Sequence, residues 1–287
     1  MKRYWFIFCC LLFLFMVCCS SLPKKMEPQS LTFAQMKMKF AREAQKQEDF
    51  NRALRLYLEA YDLFTGIDDI AGKIKAGLSI ARQYFYLDKP EESKKWLNRA
   101  GDLIESNLPQ MEGAKTILLV EMAFEKNDYQ RVIEISAATS TPNLDWTMEI
   151  LCYTMVSRAQ LHRDYQPEFK RVQAELPKLQ KRFDKRRMDD PEVLSFVYYY
   201  TGYIHSIEKN WQAALIQFEK AKEIDGLMDN PAGLGKDLYA LGQCYEKLGF
   251  FKQAASSFRR AAEIFNLLND TAAAEKAKKR AESIKDL

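Results

Sequence analysis

The sequence is poor in the residues that most metal and acid–base sites draw on. Its 287 residues hold two histidines, His162 and His205, and six cysteines, of which Cys9, Cys10, Cys18 and Cys19 crowd into the first twenty positions. That leaves Cys152 and Cys244 for the rest of the chain, far apart in sequence and read as two small core thiols. No His-Glu-x-x-His, Cys-x-x-Cys, Gly-x-Ser-x-Gly or Gly-rich phosphate loop occurs, so a zinc site, a redox pair, a hydrolase elbow and a nucleotide cradle are not expected. Glycine (11) and proline (9) are scarce, which excludes collagen-like and low-complexity chains and favours helix. An excess of either charge is also missing: the formal net charge is +4, and Lys2 and Arg3 supply two of those charges, too little for a nucleic-acid footprint.

The one long apolar run is at the start. Lys2 and Arg3 precede Tyr4 to Cys19, sixteen residues without a charge and shorter than the roughly 20 that span a bilayer, so the segment reads as an export signal. It ends Phe15-Met16-Val17-Cys18-Cys19-Ser20-Ser21. This ending resembles the cleavage site of bacterial lipoproteins, and the resemblance implies a signal peptide over residues 1–19, lipidation at Cys19 or Cys18, and attachment to a membrane through that lipid. An ordinary signal cut after Ser21 and a retained anchor are the alternatives. With Ser20 after Cys19 and no aspartate there, the implied location is the cell envelope, on the periplasmic face of the outer membrane. Residues 20–31, with Pro23 and Pro28, read as a flexible tether, and Thr32-x-x-Gln35 has the form of a capping box that opens the first helix.

Residues 32–287 are read as one helical repeat domain. The clearest unit spans 235–268: Leu238, Leu241, Gly242 and Tyr245 fall at helical spacing, Gly249 breaks the helix, and Phe251, Ala254, Phe258 and Ala261 form a second apolar stripe. The small residues Gly242 and Ala254 let the two backbones approach. Residues 195–228 repeat this with Gly202, His205, Trp211, Ala214 and Phe218, and residues 34–67 with Ala41, Ala44, Phe50, Ala53 and Tyr57. Weaker copies lie at 74–107, 113–142 and 149 to about 187. The small-residue position (Ala41, Ala81, Val120, Val156, Gly202, Gly242) recurs every 36 to 46 residues. Asp190-Pro191 and Asn230-Pro231 put a capping side chain before a proline, which opens the fifth and sixth units. The Ala- and Lys-rich tail from Asp270 reads as a cap over the last pair.

These units resemble the tetratricopeptide repeat (TPR) family. The resemblance implies an all-α, right-handed solenoid of about six helix pairs plus a C-terminal capping helix. Repeats use up the chain, so it is read as a non-catalytic scaffold with no metal, no cofactor and no small-molecule substrate. The basic run Lys178, Lys181, Arg182, Lys185, Arg186 and Arg187 reads as the solvated end of a long helix, with contact to anionic lipid or an acidic partner as the sharper alternative. On the inner, concave face that the resemblance implies, the register places Arg42, Lys75, Leu78, Arg82, Phe85 and Tyr86 toward the N-terminal end. Tyr153, Phe196, Tyr199, Tyr203 and Tyr239 follow toward the C-terminal end. Of these, Arg42, Lys75, Arg82, Tyr153, Phe196, Tyr199, Tyr203 and Tyr239 are the candidate partner-binding residues, suited to a segment of another envelope protein that carries an acidic end and apolar anchors. The alternative is an assembly subunit of an outer-membrane machine of the barrel-insertion or pilus-assembly type. No nucleic-acid partner is expected.

Overall fold

The computed structural model describes residues 28–188 and 190–284. Cys18 and Cys19, the candidate lipidation sites, lie outside the described residues, as does most of the tether. Thirteen α-helices and no strands occur among the described residues. They pair as antiparallel hairpins: α1 (Gln29–Lys46) with α2 (Phe50–Gly66), α3 (Ile70–Tyr86) with α4 (Pro90–Asn107), and α5 (Glu112–Glu125) with the short α6 (Tyr129–Ala137). Next come α7 (Leu144–Gln160) with α8 (Gln166–Asp184), α9 (Glu192–Ile207) with α10 (Trp211–Leu227), and α11 (Pro231–Lys247) with α12 (Phe251–Leu267). A last helix, α13 (Thr271–Ser283), covers α12 with Ala274, Ala277, Ala281 and Ile284, all buried. This is a right-handed TPR-like solenoid of six pairs and a cap, in the register read from the sequence.

The tight turns share one construction. The residue just past each helix end takes a left-handed backbone, as at Glu48, Asp68, Asn127, Lys209, Asp229, Gly249 and Asn269, with φ between 50° and 80°. The next residue donates its N–H back to a carbonyl in the last turn: Asp49 to Ala44, Asn210 to His205, Asn230 to Asp225, Asp270 to Phe265. In most turns that residue also caps the next helix, as Asp49 accepts from Arg52 N, Asp69 from Gly72 N, Asp128 from Arg131 N and Asn210 from Ala213 N. One residue thus closes one helix and opens another, which explains the short connections.

Inside the fifth and sixth pairs a glycine of the first helix faces an aromatic ring of the second. A β-carbon on Gly202 would lie 3.0 Å from Phe218, and one on Gly242 2.7 Å from Phe258. Neighbouring pairs share apolar clusters, so the core runs the length of the solenoid. Cys152 and Cys244 are free, buried thiols, as expected.

Two local expectations are corrected. Helix α1 begins at Gln29, directly after Pro28, so Thr32 and Gln35 lie inside it and form no capping box. The proline supplies the helix entry because its fixed φ, here −56°, suits that position. Phe251 is 36% exposed rather than part of the apolar stripe, because it stands in the first turn of α12, ahead of the packed Ala254, Phe258 and Ala261.

Candidate functional site

The inner surface is built by first helices. Helices α3, α5, α7 and α9 pack side by side, so residues one turn apart on each form a continuous strip. On α3, Arg82 and Tyr86 point at the same carboxylate of α5. Arg82 Nε and Nη2 lie 2.9 and 2.8 Å from Glu121 Oε2, and the Tyr86 hydroxyl donates to Oε1 at 2.9 Å. Arg82 was expected to offer its guanidinium to a partner; the structure instead spends that charge on Glu121. Arg42 and Lys75 are exposed, Lys75 two turns before Arg82 on α3. The three cations therefore do not form one open site.

Farther along, the strip is acidic and aromatic. Glu121 and Glu125 on α5, Glu149 on α7, and Asp190 and Glu192 at the start of α9 gather there, and burial together with neighbouring carboxylates raises Glu125, Glu149 and Glu192. Glu149 is pushed up to about 8 by burial, with Asp190 and Glu121 adding to the rise and Arg82 opposing it. Glu125 is raised by burial and by Glu121, and Lys236 of α11 offsets part of that rise. Beside them Tyr153 packs between Phe124 and Phe196, with ring centroids 5.0 Å from each, and Phe196 meets Tyr200 at 4.6 Å. Tyr153 is 7% exposed and belongs to the core with Val120 and Val132, so its ring fills space between units instead of facing a groove. Leu78 is likewise buried.

The remaining candidates converge. Between α9 and α11 an open cleft of about 390 Å³ is lined by Tyr199 and Tyr203 of α9, Trp211 of α10, Tyr239 of α11, and Lys276 and Arg280 of α13. Tyr239 stands edge-on to Phe258 at 5.2 Å, and the Lys276 ammonium lies 5.1 Å from its ring centroid. Tyr199 leans on Phe218, 5.4 Å away, and burial raises its hydroxyl well above the ordinary tyrosine value. The Tyr203 hydroxyl accepts from Gln160 Nε2. Arg280 Nη2 donates to both oxygens of Glu246 at 2.8 Å, an ion pair at the cleft's edge.

Three of the eight predicted residues, Tyr199, Tyr203 and Tyr239, thus share one site, and its cations come from the cap. Lys276 and Arg280 are four residues apart, hence on one helix face. That spacing is readable in the sequence, where the tail reads only as a cap over the last pair. Elsewhere, His205 packs edge-on to Phe169 at 5.3 Å, and no metal-binding group of His, Cys, Asp or Glu occurs among the described residues. In the basic run, Arg182 is tied to Asp145 at 3.1 Å, while Lys181, Lys185, Arg186 and Arg187 are exposed. No helix of the described residues is long and apolar enough to cross a membrane.

No family model and no curated protein matches the chain. Among solved structures it is similar to a Rap protein complexed with Competence and Sporulation Factor, at 13% identity and a TM-score of 0.53, covering 91% of this chain and 77% of that one. A STAND protein with a tetratricopeptide repeat sensor from Pyrococcus horikoshii aligns at 14% identity and a TM-score of 0.48, over 89% of this chain and 43% of that one. At such identities the first of these likenesses speaks to the fold, a TPR-like helical solenoid.

Proposed function

We propose that this protein is a non-catalytic binding scaffold that holds a segment of another protein in the cleft between α9 and α11. One observation carries the reading: Tyr199, Tyr203, Trp211 and Tyr239 meet Lys276 and Arg280 around one open cavity. Tyrosine and tryptophan offer large rigid contact area at low entropic cost, and the Lys276 ammonium suits a carboxylate on the bound segment. The similar Rap structure, solved with Competence and Sporulation Factor bound, supports a solenoid of this kind holding a partner.

We further propose that the scaffold sits in a bacterial envelope, held to the membrane by a lipid on Cys19 or Cys18, with another envelope protein as its partner; the charged, then apolar start of the sequence supports this reading. Two acyl chains or more give stable attachment. Replacing Cys18 and Cys19 together by serine should abolish fatty-acid labelling and release the chain from washed membranes. Unchanged labelling would overturn the anchor.

The binding reading is tested by a photoreactive amino acid at Tyr203 and, as a control, at the exposed Lys95 of α4. A discrete adduct from Tyr203 only, lost in Lys276→Glu, is the expected result. Equal adducts from both positions would overturn the cleft. A stoichiometric complex from detergent-solubilised membranes that survives Lys276→Glu would favour an assembly subunit instead.

A further inference from the structure

The first helical pair touches the fifth and sixth. Lys46, in the last turn of α1, places its ammonium 2.7 Å from Glu192 Oε1 in the first turn of α9 and 2.7 Å from the Met228 carbonyl just past α10. One lysine thus neutralises a carboxylate and satisfies a carbonyl at the open end of a helix, 182 residues away. In the adjoining turn, Glu48 lies within electrostatic reach of Lys236 on α11 and Asp270 at the start of α13. Each side of the seam contributes one lysine and meets an acid of the other.

The seam differs from every other junction in the solenoid. The apolar cluster of the first pair runs through Ala41, Tyr57 and Tyr61 into Ala76 and Ile80 of the second pair and includes no residue of the fifth or sixth. The described contacts across the seam are polar. Packed apolar junctions open only with the fold, whereas a partly exposed ion pair is weak by itself and screened by salt. Lys46 is 18% exposed and Glu192 31% exposed at this contact.

We propose that the contact of Lys46 with Glu192 and the Met228 carbonyl is a latch, which closes the solenoid on itself at rest and opens to admit the partner segment to the cleft between α9 and α11. Its purpose rests on the binding reading above; its existence does not. Acid should loosen it. Glu192 faces Asp190 of its own segment, Lys46 of α1 and Asp225 of α10, and burial with Asp190 raises its carboxyl, so protonation on acidification removes the partner of Lys46.

The test is a distance measured without any partner. Ketone-bearing amino acids at the exposed Gln47 and Leu227 of the full chain accept spin labels without involving the native thiols. The parent should give one short distance. Lys46→Ala should shift it to a longer, broader distribution while helical circular dichroism is unchanged, and Lys46→Arg should restore the short one. If Lys46→Ala unfolds, Glu192→Gln and acidification of the parent read the same distance. A short distance retained in whichever of these samples stays folded overturns the latch. A seam that opens while the cleft captures nothing would defeat the binding reading alone, and capture with a seam that never opens would defeat the latch alone.

Discussion

Gly242 and Phe258 are in such close contact that a β-carbon on the glycine would stand 2.7 Å from the ring's Cε1 and 3.0 Å from its Cγ. The ring is fully buried, so it has nowhere to go. Gly242→Ala should therefore cost about 1–3 kcal/mol by overpacking. Phe258→Ala alone should cost about 3–5 kcal/mol through its cavity. In the double variant the methyl enters the space the ring has left, so the two costs should fall well short of adding. Urea denaturation of the four proteins checks this. Additive costs would contradict the contact.

Arg82 and Glu121 carry the second prediction. Removing the guanidinium leaves Glu121, with a side chain only 12% exposed, facing Glu149 without a counter-charge. Arg82→Ala should lower stability by about 1–3 kcal/mol, measured as a reduced urea midpoint. Glu121→Gln, which keeps an acceptor for Arg82 and Tyr86, should lose less. A fully stable Arg82→Ala would return Arg82 to the free cations expected from the sequence.

How far the sequence could be read follows from which interactions are local. The hairpins were legible because each is set by spacing within about 34 residues: Gly242 against Phe258, Gly202 against Phe218, Gly249 at the turn. The capping chemistry was legible in part. Asn230 was found through its proline, whereas Asp49, Asp69, Asp128 and Asp270, each following a left-handed residue, were not, because their neighbours at those turns are ordinary Glu, Asp and Asn rather than glycine. The inner face was least legible. Arg82 sits at the expected register, but its partner Glu121 comes from the next unit, 39 residues on. Lys276 and Arg280 reach the cleft from the cap, and Lys46 meets Glu192 across the whole superhelix. Contacts between units depend on superhelical geometry, which periodicity alone does not specify.

A third prediction concerns pH. Asp237 of α11 is 1% exposed, and neither of its carboxylate oxygens meets a protein donor. Burial and the neighbouring Asp225 raise it to about 9, from 3.8 in an unfolded chain, with Lys222 and Lys236 opposing. The folded chain keeps a proton there that the unfolded chain has lost, so stability falls as pH rises from about 4 toward 9. Asp237→Asn needs no such proton. Its advantage over the parent should widen with pH across that window, by up to about 1.4 kcal/mol per unit. Thermal melts at pH 5, 6, 7 and 8 follow it. A difference constant with pH would contradict a protonated Asp237.

A fourth prediction separates packing from recognition among the predicted aromatics. Tyr153, buried between Phe124 and Phe196, should behave as core: Tyr153→Ala should cost about 3–5 kcal/mol and lower Tm sharply. Tyr203 and Tyr239 are half-buried at the cleft and should tolerate truncation with Tm changed far less. Similar losses from all three would mean that the cleft is only an imperfectly packed junction.

The most direct test of the binding account is partner capture by folded cleft variants. Tyr203→Ala and Lys276→Glu should keep the parent's helical circular dichroism and melting temperature while each weakens capture of the cross-linked partner by about 2 kcal/mol or more, roughly 30-fold, as expected of central contacts. If both variants, folded, capture that partner at full yield, the cleft between α9 and α11 is not where this protein binds.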